Sequence, residues 1–377
     1  MNTLMNINQK KVKLLLIFRH AALYRKPIYQ KIDNTFDSDF YFSKHPISDL
    51  KMLEVSDLKH IVLKLKEHIF PYGCYFLSGM NSISLENYKY IIFAGDIRDI
   101  SSWILLIKCR ILKKKTFLWS HGWYGKEGYF LRLVKKVYFI LANNVLIYGN
   151  YARSLMIQEG ISPSKLHVIY NSLDYDNDLQ LRSSLSKSDI YEKLFKYKAP
   201  IILFIGRLTT IKKLNLLIEA QKYLILSGIF INVILIGDGV EKENLIYQVN
   251  KNDLTSFVNF YGSCYDNSKL AELIYNADLC VSPGNVGLTA IHSLSFGTPV
   301  LTHNNLTLQM PEFEVIEKGI TGDFFDYNSP ISLAFTIKKW IYEHPQKSEE
   351  LINRCFCRID KYYNPDEQIE ILKKIFV

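Results

Sequence analysis

Three short segments carry residue types that could do chemistry. In the first, Gly206-Arg207-Leu208 follows the apolar run Ile201–Ile205, and Lys212 stands five residues beyond Arg207. A helix start disfavours cations, because its exposed N–H groups already present positive charge. Two cations there call for an anion, and two long side chains from one loop suit a diphosphate. Gly206 lets the backbone approach such a ligand closely. The plainer alternative is a pair of solvated charges at a helix start. In the second segment, Ser282-Pro283-Gly284-Asn285-Val286-Gly287-Leu288-Thr289 joins an apolar run to a helical one. Free N–H groups at that helix start make an anion seat, although Gly and Pro also favour an ordinary turn. The third, Gly237-Asp238-Gly239, ends another apolar run and either holds part of a nucleotide or turns the chain.

The elements that must position these segments alternate along the chain. In the first half, strands are expected at Lys13–Phe18, Tyr90–Phe93, Thr116–Trp119, Asn144–Tyr148 and Leu166–Tyr170. Helices are expected over Leu58–Phe70, Trp103–Leu112, Leu131–Leu141 and Ala152–Glu159. The second half restarts with strands at Ile201–Ile205, Asn232–Ile236, Val258–Tyr261, Leu279–Ser282 and Pro299–Thr302. Between them come helices over Leu214–Leu226, Leu270–Asn276 and Thr289–Phe296. Nearly continuous apolar strands between helices imply parallel sheets covered on both faces. The fold class is therefore α/β, two Rossmann-like domains facing each other across a ligand cleft. The expected boundaries are an N-terminal domain over 1–175 and a polar linker with a lead-in helix over 176–200. A C-terminal domain follows over 201–355, and a final helix over 356–377 packs back on the N-terminal domain.

A length of 377 residues suits two domains. No window approaches the roughly 20 apolar residues of a membrane helix. Lys10, Lys11 and Lys13 precede an apolar run too short for a secretory signal, so a cytoplasmic location is expected. The six cysteines are scattered or, at Cys355 and Cys357, too close for a disulfide, and read as free thiols. The net charge of +9 is uneven: residues 1–190 hold 27 Lys and Arg against 16 Asp and Glu, residues 191–377 hold 19 against 21. An anionic partner for the first half follows. Lys108, Arg110, Lys113, Lys114, Lys115, Arg132, Lys135 and Lys136 are interleaved there with Trp103, Trp119, Tyr129 and Phe130. Such a mixture suits an anionic lipid surface, or else is merely a solvated basic face. Nucleic acid is not expected, since no recognised motif accompanies the charge.

As a set, "FIGRLTTIKKLNLLIEA", "VILIGDGVEKENL", "VNFYGSCYDNSKLAELIYNADLCVSPG", "GLTAIHSLSFGTPVLTHNN" and "MPEFEVIEKGITGDFF" resemble the retaining glycosyltransferases of family 4, which have the GT-B fold. "WSHGWYGKEG" and "VIYNSLDYD" extend the likeness loosely into the first half. The resemblance implies a nucleotide-diphosphate-sugar donor held by the second domain and an acceptor held by the first. It also implies transfer with retention and without a metal or other cofactor. Arg207 and Lys212 then neutralise the diphosphate, with Gly206, Gly237, Asp238, Asn285, Val286, Gly287, Leu288, Thr289 and His292 around the donor. His121, in Ser120-His121-Gly122, corresponds to a family histidine at the donor sugar or reacting centre. It joins Arg207 and Lys212 as a catalytic candidate, and Gly122 and Glu127 are candidates for the acceptor side.

The departure lies at two positions eight apart, where the family carries glutamates that contact the donor sugar and ribose. Here they are Gly284 and His292. A ring nitrogen of His292 can still meet a ribose hydroxyl, whereas Gly284 offers only backbone. Glu312 and Glu314 read as charges stabilising a helix start, Asn171 and Asp174 as the end of the first domain, and Asn304 and Asn305 as a loop near the donor sugar. Cell-envelope polysaccharide or lipopolysaccharide synthesis, on a saccharide or lipid-linked acceptor, is the expected setting. It would be cytoplasmic and peripheral on the inner membrane face. The rivals are a nucleotide-sugar epimerase of the same fold and a non-catalytic protein that binds sugar-nucleotides or membranes. A dehydrogenase is disfavoured, because no G-x-G-x-x-G follows the first strand of either domain.

Overall fold

A computed structural model describes residues 13–44 and 51–376, so Lys10 and Lys11 of the signal-peptide reading lie outside the described residues. The chain divides into two compact units, 1–169 with 365–377, and 170–364.

In the first unit, β1 (Lys13–Phe18), α1 (Lys26–Thr35), β2 (Asp37–Ser43), β3 (Ile61–Ile69) and β4 (Tyr75–Ser78) come first. They are followed by β5 (Tyr90–Ala94), α2 (Ile100–Ile111), β6 (Lys115–Ser120), α3 (Tyr129–Leu141), β7 (Asn144–Ile147), α4 (Asn150–Gln158) and β8 (Leu166–Val168). The sheet runs β4-β3-β2-β1-β5-β6-β7-β8. It is parallel except where β4 meets β3. Leu14, Leu15 and Leu16 of β1 are fully buried, as are Ile91 and Ile92 of β5, because helices cover both faces.

Leu58–Phe70, expected to be helical, instead holds β3. Phe40 of β2 pairs with Ile61 and Tyr41 with Val62, so ladder partners decided a stretch whose periodicity was ambiguous. Within the strand Leu65 is buried and Lys66 exposed.

The second unit comprises α5 (Tyr175–Arg182), β9 (Ile201–Ile205), α6 (Leu214–Leu226), β10 (Asn232–Ile236), α7 (Lys242–Lys251) and β11 (Val258–Gly262). It continues through α8 (Asn267–Asn276), β12 (Leu279–Ser282), α9 (Leu288–Ser295), β13 (Val300–His303), β14 (Gly322–Phe325), α10 (Pro330–Glu343) and α11 (Glu349–Tyr362). Its all-parallel sheet runs β11-β10-β9-β12-β13-β14. The order reverses between β9 and β12, where Ile202 stands beside Leu279. A crevice beyond the carboxyl ends of two such strands is where open α/β sheets take ligands.

The boundaries differ from expectation at both ends. The 176–200 stretch is no linker: Ile190, Tyr191 and Phe195 are buried against Leu203, Ile234 and Ile274 in one apolar cluster of the second unit. Cys355 and Ile359 of α11 are also core residues of the second unit, so only 365–377 returns to the first. That return is α12 (Pro365–Phe376). Phe376 packs on Phe36, Tyr90 and Phe117, and the Tyr90 hydroxyl donates to the Phe376 carbonyl at 3.0 Å.

Candidate functional site

The carboxyl ends of β9, β10 and β12 bring the three glycine-bearing segments together. The Gly206 amide donates to the Ile236 carbonyl at 3.0 Å, and the Leu208 amide to the Asp238 carbonyl at 2.9 Å. Gly237 has φ +144°, and a Cβ there would stand 1.9 Å from the Gly206 carbonyl oxygen. The two loops thus meet backbone to backbone, which only glycine permits. Thr289, in the first turn of α9, donates its hydroxyl to the Ile205 carbonyl at 3.0 Å. That bond fixes the start of α9 beside Gly206. Gly287 precedes this helix, and no side chain caps its N-terminus. An uncapped, glycine-led helix start is an anion seat.

Lys212 crosses from the β9 loop to the β12 loop. Its Nζ donates to the Asn285 carbonyl at 2.8 Å and to Asn285 Oδ1 at 3.0 Å, while its own carbonyl accepts from the Gly284 amide at 2.9 Å. Burial lowers its pKa, the Glu312 carboxylate opposes that, and the Arg207 guanidinium adds to the lowering. Arg207 itself is exposed. Arg207 and Lys212 therefore share one electrostatic neighbourhood, with Asn285 and the Gly287–Thr289 helix start beside it.

His292 lies on α9 with its ring against Phe296, centroids 5.4 Å apart, and burial pushes its pKa down to about 4. It is thus a neutral imidazole at pH 7, able to donate and accept one hydrogen bond. Asp238 is exposed and committed locally: it accepts from the Gly239 amide at 2.7 Å and pairs with Lys242 at 3.1 Å at the start of α7. Asn304 is likewise engaged, donating to Asp326 at 2.8 Å.

Glu312 stands in the first turn of a short helix, and it is also buried. It is only 3 % exposed, sits in a single helical turn over Pro311–Val315, and accepts from Asn171 Nδ2 at 2.7 Å. Glu314 serves through its backbone, its carbonyl accepting from Arg358 at 2.8 Å. Asp174 caps α5. Gln309 was not singled out from sequence, yet its Oε1 accepts from the Val286 amide at 2.7 Å, and its Nε2 donates to Thr302 and to the His303 carbonyl. A lone Gln between two loops gives no periodic or motif signal. His303 also escaped notice: it is buried and its pKa is pushed down to about 4, by burial and then by Lys213.

In the first unit, His121 follows β6. Its ring lies against Tyr148, centroids 4.9 Å apart, and Tyr124, 6.1 Å apart. Burial, then Arg25 and Lys135, push its pKa down to about 4, so it too is neutral. Gly122 has φ +71° and packs on Met156 and Ala152 of α4. Glu127 is turned inward. Its oxygens accept from the Tyr124 and Gly125 amides, each at 2.9 Å, and from Lys135 at 2.6 Å. Lys135 also donates to the Gly122 carbonyl at 2.9 Å. Glu127 and Lys135 hold the 122–127 loop together, and both side chains are largely buried in doing so. Trp119 is a core residue as well, 4 % exposed.

A hollow of about 530 Å³ at the opposite, amino ends of the second unit's strands is lined by Tyr191, Asn232, Asp278 and Lys347 among others. Lys347 donates to the carbonyls of Tyr275 and Ala277 and to the Thr298 hydroxyl, so its cation is spent on closing the end of α8. Among the described residues no group of three or more His, Cys, Asp or Glu could hold a metal ion, and no helix is long and apolar enough to cross a membrane.

Residues 186–355 match the family model of the glycosyl transferases group 1. A curated relative, an uncharacterized 41.2 kDa protein in the cps region of Klebsiella pneumoniae, is 28 % identical over 225 residues. The match covers 55 % of this chain and 54 % of that protein, so it spans about half the relative's length. Among solved structures, Anabaena Alr3699/HepE in complex with UDP has a TM-score of 0.73 at 16 % identity, covering 97 % of this chain and 99 % of that one. A glycosyltransferase from Rickettsia africae has a TM-score of 0.72 at 15 % identity, covering 97 % and 98 %. The lipopolysaccharide outer core galactosyltransferase WaaB has a TM-score of 0.70 at 12 % identity, covering 97 % and 99 %. These structures share the GT-B fold with this chain over nearly its whole length, and the match to the glycosyl transferases group 1 lies within its second unit.

Proposed function

We propose that this protein transfers a sugar from a nucleotide-diphosphate-sugar to a saccharide or lipid-linked acceptor, with retention and without a metal, in cell-envelope polysaccharide or lipopolysaccharide assembly. The reaction takes place in the cytoplasm, at the inner membrane face. One observation carries the reading: Lys212, near Arg207, bridges the loops after β9 and β12 at the point where strand order reverses. Negative charge grows on the departing nucleotide diphosphate as the glycosidic bond breaks. Fixed cations and the α9 helix start therefore stabilise the transition state more than the ground state.

Two lines of likeness support the choice of donor and setting. The Anabaena protein binds UDP and UDP-glucose, so a uridine diphosphate sugar is the first donor to try. The Klebsiella relative is encoded in a cps region, which favours envelope polysaccharide. His292 in its neutral form hydrogen-bonds a ribose hydroxyl, and neutral His121 serves a sugar hydroxyl. A thermal-shift screen of nucleotide-sugars tests the donor half. A ligand at 100 times its Kd adds about 2.7 kcal/mol, and no shift with any of them overturns the reading. Nucleotide release requiring both donor and acceptor tests the transfer. Binding without release would instead favour a sugar-nucleotide-binding protein, the outcome that Gly284 and His292 recommend as the alternative.

A further inference from the structure

The helices α2 and α3 each carry two apolar faces. Leu105, Leu106 and Cys109 of α2, with Tyr138 and Phe139 of α3, enter the core. On their other sides Ile104, Ile107 and Ile111 of α2 and Phe130, Leu133 and Val137 of α3 are exposed, Ile111 at 75 % and Phe130 at 78 %. Spacings of three and four residues put each trio on one stripe of its helix. The helices are neighbours: Trp103 and Tyr138 have ring centroids 4.8 Å apart, and Arg110 donates to the Ile140 carbonyl at 3.4 Å. A helix of a water-exposed domain needs one apolar stripe, not two, and an exposed apolar patch of this extent marks an interaction surface.

The charge around the patch says what covers it. Between Ile100 and Leu141 there are nine Lys and Arg and one acid, Glu127, which Lys135 already neutralises. Lys108, Arg110 and Lys113 stand exposed at the end of α2. A second copy of the chain pairing through this face would set these cations against their own counterparts, whereas an anionic bilayer complements them. Tyr129, 78 % exposed at the start of α3, is the amphipathic ring favoured at a headgroup boundary.

We propose that the outer faces of α2 and α3 form one docking surface for an anionic lipid bilayer, with both helices lying in the interface plane. Their apolar stripes enter the acyl boundary and their basic residues meet headgroup phosphates. The proposal sharpens the inner-membrane location given above and rests on that part of the reading alone, since no step of sugar transfer enters it.

The test is co-sedimentation of the full chain with phosphatidylglycerol–phosphatidylcholine vesicles and with pure phosphatidylcholine vesicles at 0.15 M salt. Binding to the mixed vesicles is expected, and an Ile107→Gln/Phe130→Gln double variant should lower it by about tenfold or more. Both sites are exposed, so the variant's melting temperature should match wild type. Nucleotide affinity, measured in parallel, should not change, which keeps a failure of docking separate from a failure of the donor site. A Lys108→Glu/Lys113→Glu variant should lose binding to mixed vesicles as well. Three results overturn the proposal: wild type that ignores anionic vesicles, a double variant that binds them as wild type does, or a wild-type dimer that the double variant dissociates.

Discussion

The amide of Gly284 donates to the carbonyl of Lys212 at 2.9 Å, and a Cβ at position 284 would stand 2.0 Å from the carbonyl oxygen of Ile211. The glutamate that the family resemblance implies at this position therefore has no room here. Position 284 instead forms a direct backbone seam between the loops after β9 and β12. Another carboxylate, that of Glu312, acts on Lys212 instead.

Gly284→Glu should consequently fail to rebuild the family pair. Backbone atoms bound the site, so the clash cannot be relieved by a rotamer change, and overpacking of this kind costs about 1–3 kcal/mol or more. A lowered melting temperature together with lost nucleotide binding is expected. A stable variant with improved turnover would contradict the seam.

Removing the cations separates their roles. Arg207→Ala and Lys212→Ala should each weaken nucleoside-diphosphate binding by roughly tenfold to a hundredfold, the range for charged hydrogen bonds. Isothermal titration is the measurement. Lys212→Ala should also lower the melting temperature, because Asn285 loses its donor, whereas exposed Arg207 should leave it unchanged.

Glu312→Gln should move the alkaline limit of nucleotide binding. Burial already lowers the Lys212 pKa, and the Glu312 carboxylate opposes that. Without the carboxylate the pKa falls further, so the charged form, and with it nucleotide affinity, is lost at a lower pH as pH rises. Affinity measured from pH 7 to pH 10 should fall earlier in the variant, with little difference at pH 7. Coincident profiles would remove Glu312 from the site.

Acid should destabilise the fold over a defined window. His121, His292 and His303 each have a folded pKa of about 4 against 6.5 when free. Between those values the unfolded chain binds more protons than the folded one, so stability is full above pH 6.5 and declines as pH falls toward 4. Each histidine contributes a decline of up to about 3 kcal/mol over that range. His303→Asn should flatten the curve of melting temperature against pH.

Lys135→Met tests the inward reading of Glu127. Leaving that carboxylate buried and unpaired should cost about 3 kcal/mol of stability. Glu127→Gln should cost less, since the Tyr124 and Gly125 amides keep an acceptor. If Glu127→Gln lowered kcat strongly at unchanged stability, Glu127 would be a substrate contact after all.

Much of this arrangement was legible in the amino-acid order. Buried parallel strands are continuous apolar runs, so Ile201–Ile205 and Leu279–Ser282 declared themselves. Glycines at strand ends announced the loops where backbone approaches backbone or ligand. Arg207 and Lys212 stood out because cations at a helix start need a reason. Local periodicity did not resolve 61–69, since a short strand takes its identity from the partner it pairs with. Nor did it reveal that Ile190, Tyr191 and Phe195 belong to a core, because burial depends on what lies opposite.

What the sequence by itself determined is the α/β alternation and the residue types at three loop segments, each set by contacts within about ten positions. Only the tertiary structure decided that Glu127 turns inward to Lys135, that Glu312 is buried beside Asn171, and that Gly284 lies against Lys212. Those pairs of groups, apart from the first, are separated by tens of residues or more, and a side chain's role follows from the charge and room it meets there.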